Sequence, residues 1–218
     1  MVNIPDEYAL ECWRKAGRIA SECREWARGA IQPGVRIREI LEHIEEMIYE
    51  REAAPGFPAQ SSRNHVAAHY CSAPGDEQKY EEGDCVKVDM GVHVDGYIAD
   101  TACTVDLSED KRWTPLVTAS SDALKAAIAN IEDGVPVGEI GRVIEETITS
   151  AGFEPVRNLT GHGLAQWKVH TAPQIPNFGD GGGGRLRAGM VFAIEPFACT
   201  GRGMIREAGK SEVFMMVR

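Results

Sequence analysis

Apolar residues recur at helical spacing in two stretches of the chain that superimpose without gaps. These are Ile31–Glu50 (IQPGVRIREILEHIEEMIYE) and Ile131–Ser150 (IEDGVPVGEIGRVIEETITS). Nine of the 20 aligned positions are identical, including Gly34/Gly134, Glu45/Glu145 and the Ile40/Ile140, Ile44/Ile144 and Ile48/Ile148 pairs. In each copy a Gly-containing turn precedes Ile, Val and Leu at helical spacing, which predicts an amphipathic helix. Another helical stretch precedes each copy, near residues 6–28 and 113–131. Strand-like runs follow. Gly83-Asp84-Cys85-Val86-Lys87-Val88-Asp89 resembles Gly189-Met190-Val191-Phe192-Ala193-Ile194-Glu195, each an apolar strand with a carboxylate six residues after a glycine. The helices repeat at an offset of 100 and the strands at 106, so the second copy has gained about six residues. This pattern predicts one compact α/β (α+β) domain over 1–218, made of two αα-then-β pseudo-repeats (about 6–107 and 113–218), with its site between the halves.

Composition narrows the class. The 218 residues carry 23 Lys+Arg against 33 Asp+Glu, a formal net charge of −10, and are 43% apolar and 26% charged. That is ordinary globular composition, which excludes disorder and collagen-like repeats. No apolar stretch reaches the roughly 20 residues of a membrane helix, so no membrane role is expected. The start, Met1-Val2-Asn3-Ile4-Pro5-Asp6-Glu7, lacks the basic and apolar regions of a signal peptide. The acidic balance, with no Lys/Arg block, argues against nucleic acid as a direct partner. Six cysteines (12, 23, 71, 85, 103 and 199) show no zinc spacing and sit mostly in apolar runs. They read as reduced core thiols of a cytoplasmic protein.

The candidate chemistry lies in carboxylates placed where a core would be apolar. Asp95-Gly96 separates two strand-like runs within Asp84–Leu107, a two-residue hairpin signal. With that loop, Val94 faces Tyr97 and Gly91 faces Asp100, so Asp89 and Asp100 become diagonal neighbours on one face, roughly 7–8 Å apart. Gly91 is expected to leave the space opposite Asp100 open. Two ionised carboxylates so placed repel unless protonated or neutralised by a cation. Glu195 sits in an equally apolar run with no positive neighbour. Of the six histidines, His43 lies among helix glutamates and His93 at the end of the hairpin face. His162 is flanked by Gly161 and Gly163, which give the backbone freedom and leave room around the ring. Two Asp, a Glu and a His form a hard-ligand set suited to Mn(II), Fe(II) or Co(II), with no thiolate to favour a structural zinc. The glycine run 179–184 lacks the Gly-Lys-Ser/Thr ending of a phosphate loop and reads as a plain loop.

These residues match a family. The runs Phe57-Pro58…Asn64-His65-Val66-Ala67-Ala68-His69-Tyr70, Asp89…Asp95-Gly96-Tyr97-Ile98-Ala99-Asp100-Thr101, Gly161-His162-Gly163 and Arg185–Pro196 resemble those of methionine aminopeptidases. More narrowly, the chain is similar to the archaeal type II form of the pita-bread metallopeptidases; Ala67-Ala68-His69-Tyr70 favours type II. The resemblance covers essentially the whole chain. It implies the pita-bread fold, with its curved antiparallel sheet, and two divalent ions (Co, Mn, Fe(II) or Zn). Asp89, Asp100, His162 and Glu195 would hold them, Asp100 bridging. It also implies that His69 and His170 face the substrate, that Glu195 shuttles the proton, and that Phe57 and Val169 line the methionine pocket. The substrate would be the N-terminal methionine of nascent polypeptides, with the ribosome as a further partner.

The family pattern includes a fifth ligand, a bridging Glu on a final strand. This sequence stops at Arg218, soon after Gly209–Val217, and Glu212 is the one nearby carboxylate. The expectation is therefore a chain lacking its C-terminal part, whose own activity is open. Two other readings remain: a pita-bread peptidase directed at Xaa-Pro bonds, against which the Phe57 to Tyr70 stretch speaks, and a non-catalytic pita-bread binding protein.

Overall fold

A computed structural model describes residues 4–179 and 183–208. The chain falls into two compact units that meet in sequence at Arg112/Trp113.

In the first unit, helix α1 (Glu7–Ala30, belonging here from Glu11 on) is followed by α2 (Ile37–Glu50). Strands β1 (Ala54–Arg63), β2 (Cys85–Val94) and β3 (Tyr97–Asp106) form an antiparallel sheet in that order. The apolar stripe of α2 is buried through Ile37, Ile40, Leu41, Ile44, Met47 and Ile48. It packs with Ala16, Ala20, Cys23 and Ala27 of α1, small residues that let the helices approach closely, and with Val86, Val88, Met90 and Val92 of β2. The hairpin has the register that Asp95-Gly96 dictates: Val94 pairs with Tyr97 and Gly91 with Asp100, with Asp95 (φ 50°) and Gly96 (φ 79°) in the left-handed conformation such turns need. His93 does not project as a ligand. Its Nδ1 accepts from the Gly96 amide at 3.1 Å and closes the turn.

Strand β1 is bulged on either side of Phe57, where Pro55 and Pro58 cannot donate to a ladder. The Ala59 amide in the bulge donates instead to Glu45 Oε1 of α2, at 3.0 Å.

The second unit repeats the plan. Helices α3 (Thr114–Ala129) and α4 (Val137–Ser150) precede β4 (Glu154–Pro155), β5 (Thr160–Ala165), β6 (Lys168–Pro176) and β7 (Ala198–Cys199). β4 pairs with β7, and β5 with β6. Val137, Ile140, Ile144 and Ile148 of α4 are buried at an offset of 100 from their α2 counterparts, against a stripe of Ala119, Ala123 and Ala127 on α3. Where α2 has Leu41, α4 has Gly141. The Phe178 backbone lies against it, leaving no room for a Cβ. The turns into α2 and α4 correspond bond for bond. Gly34 (φ 91°) donates to the Tyr80 carbonyl and Gly134 (φ 92°) to that of Leu186, each at 2.8 Å. Tyr80 and Leu186 are 106 apart, so the shift from 100 to 106 read in the sequence recurs in the hydrogen bonding. Glu145, the counterpart of Glu45, accepts from the Gly179 amide (2.9 Å) and from Arg157 (2.6 Å), and the amide bond above all holds its carboxyl below the ordinary range.

The run 189–195 is not the regular strand its pattern predicts. It is extended, with one bridge (Gly163 to Phe192) and two further bonds, Leu164 N to Val191 O and Ala193 N to His162 O, both 2.8 Å. A turn at Gly189 (φ 89°) and Pro196, which has no N–H, bound it. No helix among the described residues is long and apolar enough to cross a membrane, and all six cysteines are free.

Candidate metal centre

In the first unit the sheet brings Asp89, Asp100 and Phe57 onto one face. Asp89 pairs with Ala102 and Asp100 with Gly91, so the carboxylates are diagonal neighbours, both half-buried. The space beside Gly91 is not open, as the sequence suggests, but filled. Phe57 pairs with Gly91 from the other side, and its ring occupies the volume a Gly91 Cβ would take. An apolar wall therefore stands directly beside the two carboxylates. Gln60, which no local pattern singles out, is opposite Asp89 in β1, and its Oε1 is buried with no hydrogen-bond partner among the described residues. Lys87, also on this face, donates from Nζ to the Asn64 carbonyl at 2.9 Å, and burial pulls its amine down to about 8. His69 lies in the segment after β1, exposed, with a left-handed φ of 68°.

In the second unit β5 and β6 form a hairpin carrying His162, Val169 and His170. Gly161 and Gly163 are needed less for backbone freedom than for close approach. Ala193 O lies against the Cα of the first and Ala172 O against that of the second, and either carbonyl would strike a Cβ. His162 is 7% exposed, and its ring centroid is 4.3 Å from that of His170, at 61°. Val169 is half-buried and His170 exposed.

Glu195 supplies the most telling geometry. Its Oε1 is 2.9 Å from His162 Nε2 and is buried with no other hydrogen-bond partner among the described residues. His162 Nδ1 lies 3.3 Å from the Gly163 carbonyl. A carbonyl only accepts, so a neutral His162 that bonds it through Nδ1 turns the lone pair of Nε2 toward Glu195. The carboxylate and that nitrogen, 2.9 Å apart, are held together by a cation, either a proton on the ring or a metal ion beside both. Ligand atoms roughly 2.1 Å from one ion and at right angles to each other are roughly 3 Å apart. The donor set and its spacing fit a divalent ion. The Glu195 backbone is fixed on its far side by Ser120 Oγ, which donates to the Pro196 carbonyl, and by Val156 N, 2.8 Å from Phe197 O. Glu212 lies outside the described residues.

Residues 11–215 match the model of metallopeptidase family M24. The chain belongs to that family. It is 45% identical over 210 residues to a methionine aminopeptidase of Methanothermobacter thermautotrophicus, covering 96% of this chain and 70% of that one. With a methionine aminopeptidase of Archaeoglobus fulgidus it shares 45% over 212 residues, 97% of this chain and 72% of the relative. Among solved structures, a methionine aminopeptidase from Thermotoga maritima superimposes with a TM-score of 0.85 at 32% identity, covering 92% of this chain and 84% of that one. A prolidase from Pyrococcus furiosus superimposes less well, with a TM-score of 0.75 at 25% identity over 88% of this chain and 57% of its own. The M24 chain thus has the pita-bread fold of these relatives, a mixed α/β structure with antiparallel sheets.

Proposed function

We propose that this chain is a metal-dependent aminopeptidase that hydrolyses the bond after an N-terminal methionine, acting on nascent polypeptides in the cytoplasm and so close to the ribosome. The observation that carries the metal part is the Glu195 carboxylate 2.9 Å from His162 Nε2, two hard donors at the spacing of neighbouring ligands on one divalent ion. What supports methionine is identity of 45% to methionine aminopeptidases over most of the chain, and a TM-score of 0.85 to a solved one against 0.75 to a prolidase. The ligand set is Asp89, Asp100, His162 and Glu195, holding two divalent ions drawn from Mn, Fe(II), Co or Zn, as one catalytic domain over 1–218. When bound, such ions make hydroxide available near neutral pH and polarise the scissile carbonyl.

The chain's own groups do the rest. The Glu195 carboxylate takes a proton from the attacking water and passes it to the departing amine. His170 and His69 donate ring N–H groups to the scissile amide and to the negative charge that develops on its carbonyl oxygen. The Phe57 ring, held against Gly91, and the half-buried Val169 supply an apolar wall for the methionine side chain.

Incubation with Met-Ala-Ser and with a Leu-Pro-Ser peptide, in the presence of Mn(II) or Co(II), tests the reading. Release of free methionine with no cleavage before proline supports it; the reverse preference identifies an Xaa-Pro peptidase, and metal-dependent stabilisation without cleavage of either peptide a binding protein.

A further inference from the structure

We propose that Tyr70 and Asp76 form a clamp that positions His69 for catalysis, a role that rests on the substrate-facing assignment of His69 above. His69 adopts φ 68°, a conformation uncommon outside glycine, which persists only where the surroundings impose it. The next residue supplies that constraint. Tyr70 is held at three separate points, although the whole segment 64–79 contains no helix or strand. Its carbonyl accepts from the Ser61 amide at 2.9 Å, and its amide donates to Ser62 Oγ at 3.3 Å, tying its backbone to β1. Its hydroxyl donates to Asp76 Oδ2 at 2.6 Å and accepts from the side-chain amide of Gln78.

The far end of the clamp is itself anchored. Asp76 closes a turn over Gly75 (φ 83°), its amide donating to the Ala73 carbonyl at 3.0 Å. Asp76 Oδ1 accepts from the Gln78 amide at 3.0 Å, and Gln78 Oε1 accepts from Arg63 at 2.9 Å. Ser61, fully buried, shares a 2.9 Å bond with Tyr80, which stands in the core against α2. The tyrosine hydroxyl thus closes a loop of bonds that begins and ends on β1, and His69 is the residue immediately before that tyrosine. Removing the hydroxyl leaves the ring and both backbone bonds in place but frees the segment to relax from the left-handed conformation. The imidazole would then lose its aim, while none of Asp89, Asp100, His162 and Glu195 is touched. Tyr70 and Asp76 are positioning residues, acting through His69.

The test is a double-mutant cycle on Met-Ala-Ser hydrolysis with Mn(II) in saturating amount. Y70F is expected to lower kcat about tenfold, to change KM less than twofold and to leave the metal concentration giving half-maximal activity unchanged. D76A should match it, and D76N, which keeps an acceptor oxygen, should recover most of the loss. In an H69A background Y70F should cost nothing further. Full kcat in Y70F, or an undiminished loss on top of H69A, overturns the clamp while H69A itself remains impaired. Full activity in H69A overturns the assignment of His69 and the clamp with it.

Discussion

Gly91→Ala probes how the sheet shapes the site. Gly91 lies between Phe57 of β1 and Asp100 of β3 in the register, and the Phe57 ring fills the space a methyl group would need. Its φ lies outside the left-handed region, so alanine meets no backbone strain there. Replacing glycine by alanine at a compatible position stabilises by about 0.4–1 kcal/mol through the unfolded chain. Against that, forcing a methyl into filled space costs about 1–3 kcal/mol, so the net effect is a loss of up to about 2.6 kcal/mol. For a chain of this size each kcal/mol shifts Tm by about 2–4 °C. The ring must swing out of the wall beside Asp89 and Asp100, so KM for Met-Ala-Ser should rise more than kcat falls. Thermal denaturation of G91A alone and in an F57A background separates the causes. With the ring gone, the same substitution should be neutral or stabilising. Equal destabilisation in both backgrounds would refute the packing argument.

Three further outcomes follow from individual bonds. Glu195→Gln removes the carboxylate beside His162 Nε2, so Mn(II) at about 100 times its Kd should no longer give the roughly 2.7 kcal/mol of stabilisation that a bound ligand confers; calorimetry with and without metal reads the difference. Asp84 is 5% exposed and accepts from Arg63 (3.2 Å), Asn64 Nδ2 (2.7 Å) and the Glu81 amide (2.9 Å), so Asp84→Ala should cost about 2–3 kcal/mol in urea denaturation. For Asp76, burial acts upward but is outweighed by bonds from Tyr70, the Gln78 amide and Ser72, which hold the carboxyl below its ordinary 3.8. A depressed folded value means stability fully present above about pH 4 and lost as the pH falls through that value; Asp76→Asn should flatten the acid limb of a stability-versus-pH curve.

Much of the site's geometry was legible because short-range rules set it. Asp95-Gly96 fixes a two-residue turn, strand alternation then fixes every side, and Asp89 and Asp100 fall together without knowledge of the rest. The repeat was legible because Gly34 and Gly134 mark the same left-handed turn. What escaped depends on long-range partners. Nothing local shows that Phe57, 34 residues before Gly91, fills the gap that glycine leaves, or that Gln60 is opposite Asp89. The identical pair Glu45 and Glu145 was a usable signal, since a glutamate retained in both copies beside the buried stripe has a bonding role, and each captures a backbone amide from the chain that follows its helix. The apolar pattern of 189–195 predicts a strand, but pattern reports burial rather than ladder pairing, and this run bonds β5 at only a few positions. His93 shows the converse: it lies on the carboxylate face, but the nearest unmet need was the Gly96 amide of its own turn.

The central claim is that metal held by Asp89, Asp100, His162 and Glu195 drives removal of methionine. Mass-spectrometric detection of free methionine from Met-Ala-Ser, with Mn(II) or Co(II) and after chelation, tests it most directly when run beside His162→Ala. The account predicts release that requires the metal, stops on chelation and is absent in H162A. Release that survives chelation, or that H162A performs at the wild-type rate, would contradict it.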